Sequence, residues 1–167
     1  MATMTDPAPN FDDAGRLRHE LWQVGARVLS LSEAALAETP LSPASASVLN
    51  AISAKPGTSI AEVARWLPTT AQAVSQIVAR LERLGLVERR LGARGHGVAL
   101  FPTPEGDRAR EDADRRVAFL EARLADALGP EDHASLLALL GRARTVVERF
   151  EATAKPASQA TAPKHEA

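Results

Sequence analysis

The stretch Thr69–Arg90, TTAQAVSQIVARLERLGLVERR, determines how the whole chain is interpreted. Its apolar side chains recur at helical spacing and define one stripe that we expect to be buried: Val74, Ile77, Val78, Leu81 and Leu84. The other face carries only short or amide side chains in its first turns: Thr70, Ala71, Gln72, Ser75, Gln76 and Ala79. An ordinary solvated helix would mix Glu and Lys there, so this face needs another explanation.

The composition favours a helical domain with an aliphatic core. The chain has 167 residues, of which 45% are hydrophobic and 4% aromatic, and it contains no tyrosine. This length suits one compact domain whose core is largely Leu, Val and Ala. Because no cysteine occurs, disulfides, thiolate catalysis, thiol redox sensing and cysteine-ligated zinc are excluded. The sequence shows neither a signal-peptide pattern nor a long apolar run, so we expect a soluble, cytoplasmic protein with no membrane partner.

Charge is unevenly distributed along the chain. The formal net charge is −1, yet the segment Lys55–Phe101 holds seven basic residues against three acidic ones. The basic residues are Lys55, Arg65, Arg80, Arg83, Arg89, Arg90 and Arg94, and the acidic ones are Glu62, Glu82 and Glu88. This segment therefore carries +4 and the rest of the chain −5, which places any polyanion contact in the middle of the sequence.

Helix signals precede the opening stretch. An amphipathic pattern from Phe11 to about Ala37 predicts a long helix. Its apolar stripe consists of Leu17, Leu21, Val24, Val28 and Leu31. Ser42 is a predicted N-cap with Pro43 at the first helical position, where proline is best tolerated.

A turn and a capping box follow. The segment KPGTS, residues 55–59, is a predicted turn, and Ser59–Glu62 is a capping box that opens a short helix through Leu67. Pro68 ends that helix. Thr70 then caps the helix of the opening stretch, which Gly85 closes.

The pattern changes to strands after Gly85. Two short runs, Leu86–Leu91 and Val98–Phe101, flank Gly92, Gly95 and Gly97 and predict a β-hairpin with an irregular basic tip. Two further helices are predicted at Pro104 to about Leu128 and Pro130 to about Ala152. Their inward residues would be Val117, Leu120, Leu124 and Leu128 in the first, and Leu136, Leu137, Leu140, Val147 and Phe150 in the second. We treat 11–152 as a single domain between tails at 1–10 and 153–167.

Helix, tight turn, helix and basic hairpin is the element order of a winged helix-turn-helix. A helix that lies in the major groove needs short side chains, so that its backbone can approach DNA, and hydrogen-bonding groups near its N-terminus. Gln72 and Gln76 could each read an adenine edge, while Thr70 and Ser75 could bond phosphates. Arg80 and Arg83 lie further along the helix, where a backbone contact is favoured. The alternative is a solvated helix that happens to carry small residues.

The sequence resembles the MarR (multiple antibiotic resistance regulator) family of bacterial transcription factors over roughly residues 11–150. The resemblance rests on SIAEVARWLPTTAQAVSQIVARLERLGLVERR, a short basic loop and LFPTPEGDRA. The family's GLV.R appears as Gly85–Arg89 and its LT..G as Pro102–Gly106. The resemblance implies a mainly α fold with a small β-hairpin wing, and a winged helix DNA-binding region at 42–103 with Ala71–Gly85 as recognition helix.

The resemblance also implies how such a protein works. Helices at 11–37 and 106–152 would form a homodimer that presents two recognition helices to a pseudo-palindromic operator in double-stranded DNA, most commonly as a repressor. The DNA-binding residues would be Thr70, Ala71, Gln72, Ser75, Gln76, Arg80, Arg83, Arg90, Arg94 and His96. Two departures bear on specificity. The family's wing Asp-x-Arg is replaced by Arg94-Gly95-His96, and Ala71 and Ala73 stand where the family often has polar residues.

Dimerisation has a basis of its own, because the terminal helices are too long and too apolar for a chain of this size to cover alone. An intramolecular bundle is the alternative. Family members commonly release DNA when a small aromatic molecule binds between the dimerisation helices and the winged helix DNA-binding region. His19 and Trp22 are the candidate ligand-binding residues, with Arg16, Arg18 or Arg27 available for a carboxylate.

No pattern indicates an enzyme, a metal site or a cofactor. The four histidines, His19, His96, His133 and His165, are scattered, and no nucleophile motif or nucleotide-binding loop is present. A second hypothesis is a dimeric winged-helix protein-interaction module that has lost DNA binding. The missing wing aspartate and the alanines of the predicted recognition helix favour this hypothesis. The basic strip of Arg80, Arg89, Arg90 and Arg94 argues against it.

Overall fold

The computed structural model describes residues 13–91 and 97–154, which fold into helices and one hairpin. The helices are α1 (Asp13–Leu36), α2 (Pro43–Ala54), α3 (Ile60–Trp66), α4 (Ala71–Arg83), α5 (Pro104–Leu128) and α6 (Pro130–Ala154). The strands are β1 (Val87–Leu91) and β2 (Val98–Pro102). The expected mainly α fold with a small hairpin is confirmed. Helix α6 runs two residues beyond the predicted end, and the rest of both predicted tails lies outside the described residues.

The predicted helix caps are present. The Ser42 hydroxyl accepts a hydrogen bond from the Ser45 N–H at the start of α2, and the Thr70 hydroxyl accepts one from the Ala73 N–H at the start of α4. At α3 the Ser59 hydroxyl accepts from the Glu62 N–H, while the Glu62 carboxylate accepts from the Ser59 N–H. These caps satisfy backbone donors that the first helical turn leaves without partners.

Glu62 makes the capping box sensitive to acid. Its carboxylate accepts hydrogen bonds at 2.9 Å from both the Lys55 ammonium and the Ser59 N–H. Lys55, followed by Ser59, lowers the pKa of Glu62 from 4.5 to about 2. Because the folded pKa is depressed, the stabilisation is present above pH 4.5 and is lost as the pH falls towards 2.

We therefore expect Glu62→Gln to flatten the dependence of stability on pH below 4.5. Urea unfolding of the parent and the variant, followed by circular dichroism at several pH values in that window, measures the difference. Glu105→Gln, at an exposed carboxylate in the first turn of α5, is the matched control and should follow the parent. Equal slopes for the parent and Glu62→Gln would contradict the assignment.

One cluster of aliphatic side chains forms the core of the winged-helix region. Its members are Leu36, Leu41, Val48, Leu49, Ile52, Val63, Val74, Val78, Leu81, Leu86, Val87, Leu100 and Ala113. The α4 stripe follows the prediction at Val74, Val78 and Leu81, and Ile77 packs against the core. The prediction was wrong at Leu84, which is 43% exposed. Leu84 is the C-cap of α4, so it stands where the helical stripe ends.

The hairpin is attached to the turn that precedes α3. Strands β1 and β2 pair antiparallel, with Val87 opposite Pro102 and Leu91 opposite Val98. Leu100 of β2 also forms a bridge to Thr58, in which the Leu100 N–H donates to the Thr58 carbonyl and the Gly57 N–H donates to the Leu100 carbonyl, both at 2.8 Å. Thr58 is fully buried. The predicted KPGTS turn thus also pairs with β2 through a single bridge at Thr58.

A tight junction joins the end of α4 to the start of α5. The Thr103 hydroxyl donates to the Gly85 carbonyl at 2.6 Å and accepts from the Gly106 N–H at 3.0 Å. The Thr103 N–H donates to the Leu86 carbonyl at 3.1 Å. A Cβ at Gly106 would lie 2.0 Å from the Leu86 carbonyl oxygen, so no side chain fits there. Packing against Leu86 therefore explains the glycine of the motif Pro102–Gly106, and the hydrogen bonds at the junction explain its threonine.

The backbone divides into two compact units, Met1–Leu120 and Glu121–Ala167, with the boundary inside α5. In the first unit the predicted α1 stripe is exposed, from 38% at Val28 to 70% at Leu17. In the second unit the predicted α6 stripe is also exposed, at Leu136, Leu137, Leu140, Val147 and Phe150. Leu124 and Leu128, which we expected to point inward, are exposed as well, because nothing in the described part of this chain covers them. Among the described helices, none is both long and apolar enough to cross a membrane.

Candidate nucleic-acid interface

Helix α4 exposes the polar face that its sequence suggested. Thr70, Ala71, Gln72 and Gln76 are exposed, and Ser75 is half-buried. The Thr70 hydroxyl already accepts the capping hydrogen bond at 3.1 Å, so its own hydrogen remains a donor that can reach an external acceptor. The positive end of the helix dipole lies at the same end of α4. The first turns of α4 thus combine small side chains, two amides and donors that suit an anionic partner.

Two arginines extend this face towards the C-terminal end of α4. Arg80 and Arg83 are exposed, and each guanidinium donates to a backbone carbonyl at 3.4 Å, Arg80 to Pro40 and Arg83 to Ala79. Within residues 13–91 and 97–154, neither arginine forms a salt bridge. Both retain an uncompensated charge that can meet a phosphate.

The arginines of the wing are partly neutralised. Arg89 of β1 bonds both carboxylate oxygens of Glu82 at 2.9 Å, which joins the wing to the last turn of α4. Arg90 pairs with Glu88, and its guanidinium lies 4.7 Å from the centre of the Phe101 ring. Such stacking orients a guanidinium without removing its charge. Arg94 and His96, the predicted contacts at the wing tip, lie outside the described residues.

The three acidic residues of the basic segment each have a basic partner. Glu62 pairs with Lys55, Glu82 with Arg89 and Glu88 with Arg90. These three pairs cancel, so the positive charge that remains in the segment lies on its other basic residues. Among the described basic residues of the segment it falls on Arg80 and Arg83 of α4 and on Arg65 of α3. The sequence indicated the total charge but not this distribution, because each pair forms only once its two residues have been placed by folding.

A cleft of about 180 Å³ lies among α1, α2 and α5. Its apolar wall consists of Leu36, Pro43, Ala46, Ala113 and Val117, and its polar wall of Ser32, Ser47, Asn50 and Asp114. No sequence pattern indicated it, because residues from three distant segments form it. His19 and Trp22, the candidate ligand-binding residues, do not line it. Their ring centres are 6.3 Å apart on α1, and Trp22 is 66% exposed.

No described cluster of side chains suggests a metal site. Among the described residues, no three histidine or carboxylate side chains lie close enough together to hold an ion. The candidate site is an exposed helix face with a wing beside it, and the small cleft has separate walls on α1, α2 and α5.

Known proteins share this arrangement. The MarR family model matches residues 39–97, from the turn before α2 to the start of β2. The transcriptional repressor CouR, solved with a 23-mer DNA duplex, is 26% identical with a TM-score of 0.75, and the match covers 83% of this chain and 99% of that protein. No curated protein sequence matches the chain.

Two further solved structures have the same fold. The Mycobacterium tuberculosis MarR family protein Rv2887, in complex with p-aminosalicylic acid, is 27% identical with a TM-score of 0.62, and the match covers 75% of this chain and 96% of that protein. A mutant of Escherichia coli MarR, complexed with operator DNA, is 22% identical with a TM-score of 0.73, and the match covers 81% of this chain and 99% of that protein. The MarR family model thus matches the winged-helix region of the chain, and the solved MarR-type structures are similar to it in fold over most of its length.

Proposed function

We propose that this protein is a cytoplasmic transcriptional regulator that binds double-stranded DNA as a homodimer. The observation that carries the proposal is the exposed face of α4, on which small and amide side chains precede two arginines without salt bridges among the described residues. CouR, a solved relative with 26% identity and a TM-score of 0.75, is a repressor bound to DNA.

The first turns of α4 suit the major groove. Ala71 leaves room for the backbone to approach the base edges, and Gln72 and Gln76, one turn apart on the exposed face, each offer a donor and an acceptor to an adenine. Thr70, Ser75, Arg80 and Arg83 would contact phosphates and fix the register of the helix. Arg90 would contact the backbone from the wing, with Arg94 and His96 further along it towards the minor groove.

The exposed apolar faces support dimerisation. Leu17, Leu21 and Val24 of α1 are 45–70% exposed, and Leu136 and Leu140 of α6 are both 42% exposed. Monomeric proteins rarely expose contiguous apolar surface of this extent. A second copy of the chain would cover these faces and would present a second α4 to the next half-site of a pseudo-palindrome.

Repression and release by a ligand complete the proposal. A dimer bound across a promoter would exclude RNA polymerase. The Rv2887 structure contains p-aminosalicylic acid, and we propose that a small aromatic molecule likewise controls this protein. The cleft among α1, α2 and α5 offers such a ligand a place, whereas His19 and Trp22 remain predicted ligand contacts outside its lining.

Fluorescence anisotropy with a labelled duplex tests DNA binding. The duplex carries the DNA upstream of the protein's own gene, and titrations are repeated over a salt series and with random competitor DNA. We expect saturable binding that is much tighter than binding to competitor and that weakens steeply with salt. A folded dimer that binds no duplex at low salt would overturn the proposal and favour the protein-interaction module. The pairing of Arg89 and Arg90 with acidic residues is the observation consistent with that alternative.

Two variants of α4 separate base reading from backbone binding. We expect Arg83→Ala to weaken binding to operator and random DNA alike by about tenfold and to reduce the salt slope by about one. Gln76→Ala should weaken operator binding by about 1–3 kcal/mol and leave random DNA nearly unchanged. Arg108→Ala, which removes the same charge from an exposed site on α5, is the control and should bind like the parent. Equal losses for Arg83→Ala and Arg108→Ala would show that only net charge matters.

A further inference from the structure

Two oppositely charged residues of β1 lie side by side on one face of the wing. Glu88 and Arg90 are two positions apart, so their side chains project from the same face of the strand. They form an ion pair in which 42% of the Glu88 side chain and 59% of the Arg90 side chain are exposed. A polyanion that reaches Arg90 therefore also reaches Glu88.

The ring of Phe101 fixes the direction in which the Arg90 side chain runs. Phe101 pairs opposite Glu88, whereas Ala99 pairs opposite Arg90. The Arg90 guanidinium nevertheless lies 4.7 Å from the centre of the Phe101 ring, so the side chain runs diagonally towards the base of the hairpin. The ring itself lies against Gly57, where a Cβ would be 3.4 Å from the Phe101 Cζ. Glu88 and Phe101 thus hold the guanidinium back, towards the base of the wing.

The ion pair of Glu88 and Arg90 contributes little to the fold. Both residues belong to β1, so their pairing joins no separate elements, and exposed ion pairs stabilise a fold only weakly. Arg89, which projects from the opposite face of β1, forms the pair with Glu82 that joins the wing to α4. The effect of Glu88 is therefore to be sought in what Arg90 binds.

A DNA phosphate and the Glu88 carboxylate are alternative partners for Arg90, because both are anions that accept hydrogen bonds from a guanidinium. To bind a phosphate, Arg90 must give up at least part of its bond to Glu88. The released carboxylate then lies beside the negatively charged DNA backbone, which is unfavourable. Arg80 and Arg83 carry no such cost, since neither has a salt bridge in the part of the chain that the structure describes.

We propose that Glu88 competes with DNA for Arg90 and thereby lowers the affinity of the wing for DNA of any sequence. The inference rests on the proposed DNA binding and adds an acidic residue that limits it. Because the competition acts on a phosphate contact, it changes the affinities for operator and random DNA by the same factor. The wing then contributes less to DNA binding than its arginines alone would supply, and a larger share falls on α4.

Fluorescence anisotropy of the full-length protein over a salt series tests the competition. The two probes are the labelled duplex from upstream of the protein's own gene and a random duplex of equal length. We expect Glu88→Gln to tighten binding to both duplexes by about fivefold at low salt. The slope of log affinity against log salt concentration should steepen by about one, because Arg90 then binds a phosphate without giving up a partner. A Glu88→Gln protein that binds like the parent, or more weakly, would overturn the inference.

A double-mutant cycle shows whether Glu88 acts through Arg90. In the Arg90→Ala background, Glu88→Gln should change the affinity by less than about twofold. An equal gain with and without Arg90 would contradict the inference, because the carboxylate would then repel DNA without acting on Arg90.

Glu105→Gln is the matched control. It frees Arg108 of α5 from an exposed ion pair and changes the net charge by the same amount, so we expect it to bind both duplexes like the parent. Equal gains for Glu105→Gln and Glu88→Gln would show that net charge alone sets the affinity, and they would overturn the inference.

Arg83→Ala in the same titrations separates this inference from the proposed function. A parent that binds DNA and loses about tenfold in affinity with Arg83→Ala, but gains nothing with Glu88→Gln, would overturn the inference and leave DNA binding intact. A parent that binds neither duplex would overturn the proposed function, and the inference with it.

Discussion

Replacing Gly106 with alanine is expected to lower the free energy of unfolding by about 3 kcal/mol or more, which is exceptional for the addition of one methyl group. The added Cβ would lie 2.0 Å from the Leu86 carbonyl oxygen and 3.0 Å from its carbonyl carbon. Both atoms belong to the backbone, so no side-chain rotation relieves the overlap. Relief requires the start of α5 to move away from Leu86, the residue before β1, which breaks the hydrogen bonds that Thr103 makes at this junction.

Urea unfolding followed by circular dichroism measures the loss. Arg108→Ala, two positions further along α5, is the matched control, because it removes only an exposed ion pair with Glu105. We expect it to change the free energy of unfolding by about 0.5 kcal/mol or less. A stable Gly106→Ala protein that unfolds with the parent would show that α5 does not approach Leu86 this closely.

The double substitution Leu136→Glu and Leu140→Glu is expected to convert the proposed dimer to a monomer. The two residues lie one turn apart on one side of α6, and both are 42% exposed in the single chain. If a second copy covers this face, two carboxylates are buried without partners on each side of the interface. We expect the dissociation constant to rise at least ~100-fold, since unpaired buried charges are strongly unfavourable.

Sedimentation velocity at micromolar concentration measures the change. The control adds the same two charges on the opposite side of α6, at the exposed positions Ala138 and Thr145, and should leave the dimer intact. A monomeric parent would contradict the dimer itself. A double variant that stays dimeric would place the interface elsewhere on the chain.

The elements of this fold are largely predictable from the sequence because their signals are local. Ser42, Ser59 and Thr70 act as helix caps on residues three positions away, and the structure confirms all three. The stripe of α4 is local as well, and the error at Leu84 arose at its boundary, where the helix ends. Element types and order follow from the same short-range patterns.

What the sequence could not supply depends on contacts between distant residues. The bridge from Thr58 to Leu100 joins positions 42 residues apart, so KPGTS was interpreted only as a turn. The need for glycine at position 106 comes from the Leu86 carbonyl, which lies 20 positions earlier. The cleft draws its walls from α1, α2 and α5, and no local pattern connects them.

On the candidate DNA-binding face, too, local features were predictable from the sequence and contacts between separate elements were not. The exposure of Gln72 and Gln76 follows from helical periodicity, and the sequence predicted it. Which arginines keep their charge depends on where acidic side chains fall after folding. Arg89 lies seven positions from its partner Glu82, across the turn between α4 and β1, so the sequence did not identify this pair.

The attachment of the wing has a mechanical consequence. One strand of the wing follows α4 directly along the chain, and the other is bonded through Leu100 to Gly57 and Thr58, just before α3. The hairpin is therefore anchored on both edges, and a rotation of α4 carries the base of the wing with it. In the proposed dimer, operators would then differ mainly in the distance that they impose between the two winged-helix regions, and half-site spacing would be the quantity that operator variants test most directly.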